Sequence, residues 1–600
     1  MEQKDEHRCT VVIIGAGPAG LTAAHELIKQ GCHPIVLEQQ DKVGGIARTE
    51  NYKGYHFDMG GHRFFTKAPE VRAMWQATLG SEFLRRPRLS RIYYQDKFFH
   101  YPLKPLNAFM GLGLVQATQI IASYVRWQLF PYKHEETFEQ WVTNRFGQRL
   151  FEIFFKTYTE KVWGIPCSEL KAEWAAQRIK DLSLKSALVS MFVKSKTTIT
   201  TLIEEFDYPR LGPGMLWNQV KKDIEQQGGE VLLNTEVVEI HRTGDSVDSV
   251  VVACKGQTPE SRIIHADYVI SSMPVSEFVK KLNTAPADVV AAANQLTYRD
   301  FLTVCLIVNQ PNLFFDNWIY VHAPEVQVGR IQNFKNWSPD MVPDPSKTSL
   351  GLEYFCNEGD ALWTMSDTDL IALGKREIDS IGLARSADVE DGCVFRVQKA
   401  YPVYNADYRE YLATIKEFVG TLKNFQTIGR NGLHRYNNQD HSMLTGMAAV
   451  RNLILGEHND LWSINADKDY HEEVREDKSG SAPAVMPELM RPRVIERVHP
   501  ISFGLAVGCT VGLMMCLATL FLVIKGGANM GANMQLLGQF FGGYSVTPAG
   551  SLIGLTYGLV AGFLIGSVGA YLRNLLIYLS AHLLYRDIER NLLRQFLDYI

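Results

Sequence analysis

The chain has 600 residues, of which 46% are apolar and 21% charged, so it is too long for one compact core and we expect several domains. Its 61 basic and 65 acidic residues leave a formal net charge of -4, which excludes a global field that would attract nucleic acid. The nine cysteines contain no C-x-x-C pair and no zinc-ligand spacing, which predicts free thiols in a reducing compartment and no metal site.

The first eight residues, MEQKDEHR, are charged and lead directly into an apolar strand. A secretory signal would instead place an apolar stretch behind its positive end. We therefore expect the N-terminal part of the chain to stay in the cytoplasm.

Residues 9–39, CTVVIIGAGPAGLTAAHELIKQGCHPIVLEQ, combine a strand, a glycine turn, an amphipathic helix and a second strand. Gly15 permits the tight turn, Gly17 lets a pyrophosphate approach the backbone, and Gly20 lets helix and strand pack closely. The helix N-terminus offers amides and a positive dipole to phosphates. Glu38, at the end of the second strand, is placed to bind ribose hydroxyls. This pattern predicts a Rossmann βαβ unit that binds a dinucleotide.

NAD would fit this unit as well as FAD, and the segments that follow favour FAD. Gly44, Gly45 and Arg48 in DKVGGIARTE resemble the second FAD-contacting loop of glutathione-reductase-like and amine-oxidase-like flavoproteins. GGEVLLNTEVVEIH resembles the segment that covers the adenine in those proteins, which implies a contact through the backbone of Val238. DYVISSMP resembles the strand that closes their FAD domain.

Further segments between residues 8 and 465 resemble UDP-galactopyranose mutases, especially those of the eukaryotic type. They occur in the order that those enzymes use. The segments are HFDMGGHRFF, YTEKVWGIPCSELKAEW, FDYPRLGPGMLW, NWIYV, GRIQNFKNWSP, AYPVY and GRNGLHRYNNQDHSML.

This resemblance implies a substrate site. Arg210 and Arg330 correspond to two arginines that hold the substrate diphosphate, and guanidinium groups suit that task because they form charge-assisted, bidentate hydrogen bonds to phosphate. Tyr320, Tyr401 and Tyr436 correspond to tyrosines whose hydroxyls also reach the diphosphate.

The same resemblance implies which residues surround the cofactor. Trp318 corresponds to a residue of the nucleotide-sugar pocket, His62 to a histidine beside the isoalloxazine, and Arg430 to an arginine next to the flavin. NQDHS is expected to open a helix whose amides face the pyrimidine end of the flavin. The residues expected to contact FAD are Gly15, Gly17, Pro18, Ala19, Gly20, Glu38, Gly45, Arg48, Gly61, His62, Val238, Arg430, Asn438, Gln439, Asp440 and Ser442.

The resemblance implies a sugar-ring mutase that acts on a nucleotide- or lipid-linked sugar diphosphate, with N5 of reduced FAD as nucleophile and NAD(P)H as a candidate reductant. A rival hypothesis is a membrane-attached FAD-dependent oxidoreductase or desaturase with a lipid or isoprenoid substrate. Protoporphyrinogen oxidases and carotenoid desaturases share the FAD fold and much of the HFDMGGH region. A flavin-binding membrane protein without turnover is a third hypothesis.

Two uncharged stretches, Ile501 to Ile524 and Ser551 to Leu572, are each long enough to cross the hydrocarbon layer as a helix. Basic residues flank the pair on its outer ends, which predicts a hairpin with the catalytic region and the C-terminal tail in the cytoplasm. Gly554, Gly558, Gly562 and Gly566 form a smooth strip that predicts close packing against the first span, or between copies of the chain.

We therefore expect an α/β and α+β protein: a Rossmann-type FAD-binding domain with an inserted substrate domain, followed by a transmembrane hairpin. Residues 8–465 form the catalytic region in this interpretation. Its FAD-binding segments are 8–65, 208–275 and 425–465, and its substrate-binding segments are 66–207 and 276–424. Residues 466–499 are expected to be a charged linker and 500–600 the membrane hairpin with a basic tail.

Overall fold

The computed structural model describes residues 10–101, 107, 111–172, 205–254, 261–405, 407–464, 499–526 and 531–597. The predicted linker at 466–499 lies outside the described residues except for its last position. The chain divides into two compact units, Met1–Glu476 and Asp477–Ile600.

The described residues contain nineteen strands. They are β1 Val11–Ile14, β2 Ile35–Leu37, β3 Thr49–Tyr52, β4 Tyr55–Asp58, β5 Phe83–Pro87, β6 Ser90–Tyr94, β7 Lys97–His100, β8 Glu205–Pro209, β9 Glu230–Leu232, β10 Thr235–Thr243, β11 Ser246–Cys254, β12 Arg262–His265, β13 Tyr268–Ser271, β14 Tyr298–Val308, β15 Trp318–Val321, β16 Arg330–Asn333, β17 Thr348–Cys356, β18 Val389–Pro402 and β19 Phe425–Thr427.

The same residues contain eighteen α-helices. They are α1 Pro18–Lys29, α2 Pro69–Leu79, α3 Leu114–Leu129, α4 Phe138–Phe146, α5 Gln148–Phe151, α6 Thr157–Trp163, α7 Gly214–Gln226, α8 Val275–Lys281, α9 Ala287–Gln295, α10 Phe334–Trp337, α11 Ala361–Thr364, α12 Asp367–Ser380, α13 Tyr408–Gly420, α14 Gly429–Gly432, α15 Gln439–Leu455, α16 Pro500–Lys525, α17 Ala532–Gln535 and α18 Pro548–Leu597.

The first unit is built around a parallel sheet with the strand order β19-β13-β1-β2-β9. A parallel sheet is covered on both faces, which explains why all four residues of β1 are apolar and buried. Helices α1, α7 and α15 cover one face, and the three-stranded sheet β10-β11-β12 with α8, α9 and α13 covers the other. Its five strands come from the three segments expected to bind FAD. The Rossmann-type part of the predicted fold is thereby confirmed.

The second sheet of this unit has seven strands in the order β18-β14-β17-β16-β15-β6-β7. Only β15 and β6 are parallel neighbours in it. Every residue of β17 is buried, because the sheet has an aliphatic core with α12 on one face and a strongly aromatic core on the other. Its strands come from the inserted segments, and its aromatic face supplies the substrate half of the site described below.

The second unit contains two helices that are long and apolar enough to cross a membrane, Pro500–Lys525 and Pro548–Asn574, with mean hydropathies of 2.4 and 1.8. The chain continues from the second as one helix of 50 residues, so the predicted basic tail extends α18 as far as Leu597. Helix-breaking residues are missing there, since neither Gly nor Pro occurs after Gly569.

The glycine strip of α18 packs against α16 of the same chain. A Cβ on Gly558 would lie 2.6 Å from Cα of Gly512, and one on Gly562 would lie 2.8 Å from Cα of Gly508. Small residues thus let the two backbones approach closely. The structure therefore shows the predicted packing against the first span, and the alternative of a contact between copies of the chain stays a prediction.

Replacing Gly562 with leucine is expected to destabilise the hairpin by roughly 1–3 kcal/mol, because the new side chain would enter the α16 backbone. The matched control is Gly569→Leu, since a Cβ on Gly569 meets no atom within 4 Å. Thermal unfolding of the full chain in detergent compares the two. Equal melting temperatures for both variants would contradict the close packing.

Candidate cofactor and substrate site

A cavity of about 770 Å³ opens where the carboxyl ends of β1 and β2 face the aromatic side of the seven-stranded sheet. Most of the predicted site residues line it. They are Gly15, Gly17, Pro18, Ala19, Glu38, Gly45, Arg48, Gly61, His62, Trp318, Tyr320, Arg330, Tyr401, Arg430, Tyr436, Asn438, Gln439, Asp440 and Ser442. The three predicted residues outside this lining are Gly20, Arg210 and Val238.

The glycine turn forms a cradle at the N-terminus of α1. Gly15 has a φ of +96°, and a Cβ there would lie 2.3 Å from Oγ of Ser272. A Cβ on Gly20 would lie 1.9 Å from the carbonyl oxygen of Gly15, so this glycine lets α1 pack on the turn. A Cβ on Gly17 would meet only Cα of Gly45, at 3.8 Å. Atoms therefore pack closely against Gly15 and Gly20, whereas the cradle is open beside Gly17, toward the cavity. A pyrophosphate bound at the N-terminus of α1 would fit in this open side.

Glu38 lies directly after β2 and is only 7% exposed. Its carboxylate accepts hydrogen bonds from the backbone amides of Ala16, at 2.8 Å, and Gln40, at 3.0 Å. Burial raises the pKa of Glu38, although these amides oppose the shift. The amides fix the carboxylate at the cavity wall, where its remaining lone pairs suit the hydroxyls of a ribose.

Val238 does not line the cavity, whereas its neighbour Val237 does. The pairing of β10 with β11 shifts register between Val237 and Glu239, and Val238 is 40% exposed. A bulge of this kind interrupts the alternation of side chains between the two faces of a strand. The structure therefore places Val237, and not the expected Val238, at the cavity wall.

Helix α15 begins at the opposite end of the cavity. Asn438 is its N-cap residue, and the amide of Asn438 donates to Nδ1 of His441 at 3.2 Å. Trp217 donates from Nε1 to Oε1 of Gln439 at 3.1 Å, which holds the first turn in place. The positive end of the helix dipole is thus directed at the cavity, as expected for the pyrimidine end of a flavin.

The half of the cavity beside the seven-stranded sheet is organised by a row of residues across three strands. Tyr320 of β15 lies opposite Arg330 of β16, which lies opposite Glu353 of β17. Arg330 donates to Glu353 from Nε at 2.9 Å and from Nη2 at 2.5 Å. Gln332 also donates to Glu353, at 2.9 Å. Although burial opposes it, the charge of Glu353 raises the pKa of Arg330, which therefore stays cationic.

Arg210 lies away from this row. Its guanidinium pairs with Glu82 at 3.1 Å and with Asp340 at 2.8 Å, and its side chain is 41% exposed. The structure therefore does not bring Arg210 to the cavity, and of the two arginines expected to hold a diphosphate only Arg330 lines it. The two acidic partners of Arg210 come from distant parts of the sequence. The motif around Arg210 therefore does not reveal these contacts.

A second cation, Arg430, lies beside two tyrosines. The rings of Tyr401 and Tyr436 stack with centroids 5.7 Å apart, and the guanidinium carbon of Arg430 lies 4.7 Å from the ring centre of Tyr436. Arg430 donates to the carbonyl oxygens of Asn437 and Ala400. Within the described residues it has no carboxylate partner, so its charge is available to an anionic ligand.

His62 is carried by the glycine loop after β4. Its Nε2 lies 2.9 Å from the carbonyl oxygen of Met59. A Cβ on Gly60 would lie 3.6 Å from Nη2 of Arg330 and 3.8 Å from Nε2 of His62, so this loop brings the histidine next to the arginine. Burial lowers the pKa of His62 to about 4, and the ring is therefore neutral at pH 7.

This pKa predicts a contribution of His62 to acid sensitivity. Below about pH 6.5 the unfolded chain binds a proton at His62, whereas the folded chain does so only near pH 4, so the free energy of unfolding falls as the pH drops through this window. The expected slope is about 1.4 kcal/mol per pH unit. Melting temperatures of wild type and His62→Asn between pH 4 and 7 measure it. Above pH 7 the two curves should run parallel, and parallel curves throughout would contradict a neutral His62.

Glu353 is the site residue that sequence reasoning missed. It is fully buried and holds Arg330 and Gln332. A signal for it exists, because Glu353 is the only charged residue in the buried strand TSLGLEYFC. A carboxylate in such a strand requires a charged or hydrogen-bonding partner.

The chain resembles known proteins in sequence and in fold. The chain is 25% identical over 297 residues to the 15-cis-phytoene desaturase of Synechococcus elongatus, which covers 44% of this chain and 58% of the desaturase. It is 23% identical over 424 residues to the coproporphyrinogen III oxidase of Mycobacterium leprae. This alignment covers 67% of this chain and 89% of the oxidase. A structure of reduced UDP-galactopyranose mutase superposes with a TM-score of 0.67 at 22% identity, covering 77% of this chain and 98% of the mutase, which shows a shared fold.

A family model described as flavin containing amine oxidoreductase matches residues 18–429. This match spans more than half of the chain and includes Gly20 and the row of Tyr320, Arg330 and Glu353, whereas Gly15 and Gly17 lie just before it. The protein therefore belongs to the flavin-containing amine oxidoreductase family and is an enzyme with FAD as its cofactor.

Proposed function

We propose that the protein is a flavin-dependent mutase that rearranges the sugar ring of a nucleotide- or lipid-linked sugar diphosphate. The observation that carries the proposal is the row of Tyr320, Arg330 and Glu353 beside the stacked Tyr401 and Tyr436 in the FAD cavity. These residues offer cations and hydroxyls rather than an apolar tunnel, so they favour a polar, anionic substrate over a hydrocarbon.

Arg330 has the geometry of a diphosphate ligand. Glu353 occupies its Nε and Nη2 edge, and the remaining Nη1 has no hydrogen-bond partner among the described residues. The ion pair is neutral as a whole, so Arg430 supplies the net positive charge that a diphosphate requires. Charge-assisted bonds of this kind are roughly twice as strong as neutral ones.

The tyrosines supply hydrogen-bond donors for the same substrate. Burial raises the pKa of Tyr401 to about 12, which keeps its hydroxyl protonated at neutral pH. Trp318 stacks on Trp337 with ring centroids 5.3 Å apart and forms an apolar wall of the cavity. Such a wall excludes water from the reacting sugar.

FAD held by the cofactor residues would supply a nucleophilic or redox-active ring to this chemistry. Arg330 and Arg430 hold the leaving diphosphate and keep it close, so that the same group can recombine with the sugar. His62, neutral at pH 7, lies next to Arg330 and uses its one N–H, on Nε2, to donate to the carbonyl oxygen of Met59.

The proposal is tested by incubating the dithionite-reduced full chain, without oxygen, with UDP-galactofuranose or UDP-galactopyranose and separating the products by chromatography. We expect interconversion of the two ring forms by the reduced protein and none by the oxidised protein. If neither sugar nucleotide reacts, lipid-linked sugar diphosphates are the next substrates. Failure with both classes contradicts the mutase.

An oxidoreductase is the second candidate function. The observation in its favour is the match to a coproporphyrinogen III oxidase over 89% of that enzyme, together with the family to which the chain belongs. Its substrate would be a lipid, an isoprenoid or a porphyrinogen, which transfers hydride to FAD. Reduction of the bound flavin by such a compound, with no reaction of any sugar diphosphate, would establish this function instead. The two apolar helices support attachment to a membrane in either case.

A further inference from the structure

We infer that Lys161 is a positioning residue which, together with Glu377, fixes the turn between β15 and β16 and so sets where Tyr320 and Arg330 enter the cavity. Neither residue lines the cavity. The identity of the ligand rests on the proposed function, whereas the fixing of the turn does not.

The ammonium group of Lys161 is surrounded by carbonyl oxygens of this turn. It donates to Ala323 at 2.7 Å, to Val328 at 3.1 Å and to Val321 at 3.3 Å. An ammonium group has three donors, and here each has an acceptor. Since Val321 is the last residue of β15 and Val328 lies in the turn two residues before β16, one side chain joins both ends of the connection.

Glu377 of α12 holds the amides of the same turn. Its carboxylate accepts from the amides of Gln327 at 2.6 Å and Val328 at 3.0 Å, and from the hydroxyl of Tyr354 at 2.9 Å. The carboxylate is buried, with 6% exposure. The turn therefore has a cation on its carbonyl groups and an anion on its amides, and these contacts restrain it in addition to strand pairing.

The turn controls substrate-facing residues because it lies between them. Tyr320 is adjacent to Val321, and Arg330 follows Val328 by two residues. Tyr158, one helical turn before Lys161 on α6, stacks on His322 at 5.1 Å and packs edge-on against Tyr320 at 5.2 Å. The same face of α6 thus contacts the end of β15 and the turn, and fixes the direction of the Tyr320 ring.

The electrostatics of Lys161 agree with this role. Burial lowers its pKa to about 8, while the carboxylates of Glu377 and Glu325 oppose the shift. Lys161 therefore remains mostly charged at pH 7 in spite of its burial. Burial of the ammonium group costs solvation free energy, and its hydrogen bonds to the turn offset that cost. Lys161 is therefore suited to fixing the geometry of the turn.

The test uses the full chain with bound FAD and UDP as the probe. Lys161→Met is expected to weaken UDP binding about ten-fold, because the charge-assisted contacts between Lys161 and the turn are lost. The FAD content of the protein should not change. The matched control is Lys335→Met, because Lys335 also donates to three carbonyl oxygens, those of Pro311, Pro345 and Lys347. Glu377→Gln is a milder change of the same turn and is expected to act in the same direction.

Two readouts separate positioning from general stability. Hydrogen exchange of residues 318–333 should accelerate in Lys161→Met and not in Lys335→Met. In a double-mutant cycle with Tyr320→Phe, the losses of UDP affinity should be less than additive, because Lys161 acts through Tyr320. Additive losses, or equal exchange in both lysine variants, would overturn the inference. If wild type fails to bind UDP, the proposed substrate class is wrong, and exchange alone decides the role of Lys161.

Discussion

Replacing Arg330 with alanine is expected to weaken binding of a sugar diphosphate at least about ten-fold and to destabilise the fold by about 3–5 kcal/mol. The first effect follows from the loss of a charge-assisted contact in the cavity. The second follows from Glu353, which is fully buried and would lose the cation that compensates its charge. Isothermal titration with UDP and thermal unfolding measure the two effects separately.

Two controls make this prediction specific. Arg210→Ala removes an exposed arginine that pairs with Glu82 and Asp340, so we expect little change in stability and unchanged UDP affinity. The double variant Arg330→Met with Glu353→Leu removes both charges and should recover stability without recovering affinity. A normal affinity in Arg330→Ala, or a loss of affinity in Arg210→Ala, would reverse the assignment of the diphosphate site.

Replacing Gly20 with alanine is expected to abolish FAD binding and to disrupt the first unit. The new Cβ would lie 1.9 Å from the carbonyl oxygen of Gly15 and 3.2 Å from a side-chain carbon of Ile13, so α1 would have to move away from β1. Overpacking of a tight contact costs roughly 1–3 kcal/mol or more. Flavin content after purification and the cooperativity of thermal unfolding report this change.

Gly17→Ala is the matched variant for this prediction. Its Cβ would make only an ordinary contact, 3.8 Å from Cα of Gly45, so the fold should persist. Because it faces the open side of the cradle, the methyl group should still displace the pyrophosphate and lower FAD affinity. A Gly20→Ala variant that retains flavin as well as wild type would contradict the close packing of α1 on the turn.

The features that could be predicted are those set by local sequence. The buried strand Val11–Ile14, the glycine turn and the acid at position 38 follow from spacing and residue type, and the structure places them together at one end of a parallel sheet. The residues of the NQDHS segment likewise begin a helix at the cavity. Each of these features is determined by residues that lie close together in the sequence.

The features that could not be predicted depend on distant parts of the chain. Arg210 pairs with Glu82 and Asp340, which lie 128 and 130 positions away, and these contacts hold it outside the cavity. Val238 is displaced by a register shift that its strand alone does not encode. Glu353 becomes a site residue only because β17 pairs with β16 in the register that places it opposite Arg330.

The redox state of the flavin during turnover distinguishes a mutase from an oxidoreductase. The anaerobic, reduced protein is mixed with an excess of UDP-galactofuranose, and the absorbance of oxidised flavin is followed while the sugar products are counted. A mutase predicts many ring rearrangements for each FAD with the flavin still reduced at the end. Oxidation or reduction of one flavin for each product formed, or product formation with a lipid or porphyrinogen alone, would contradict it.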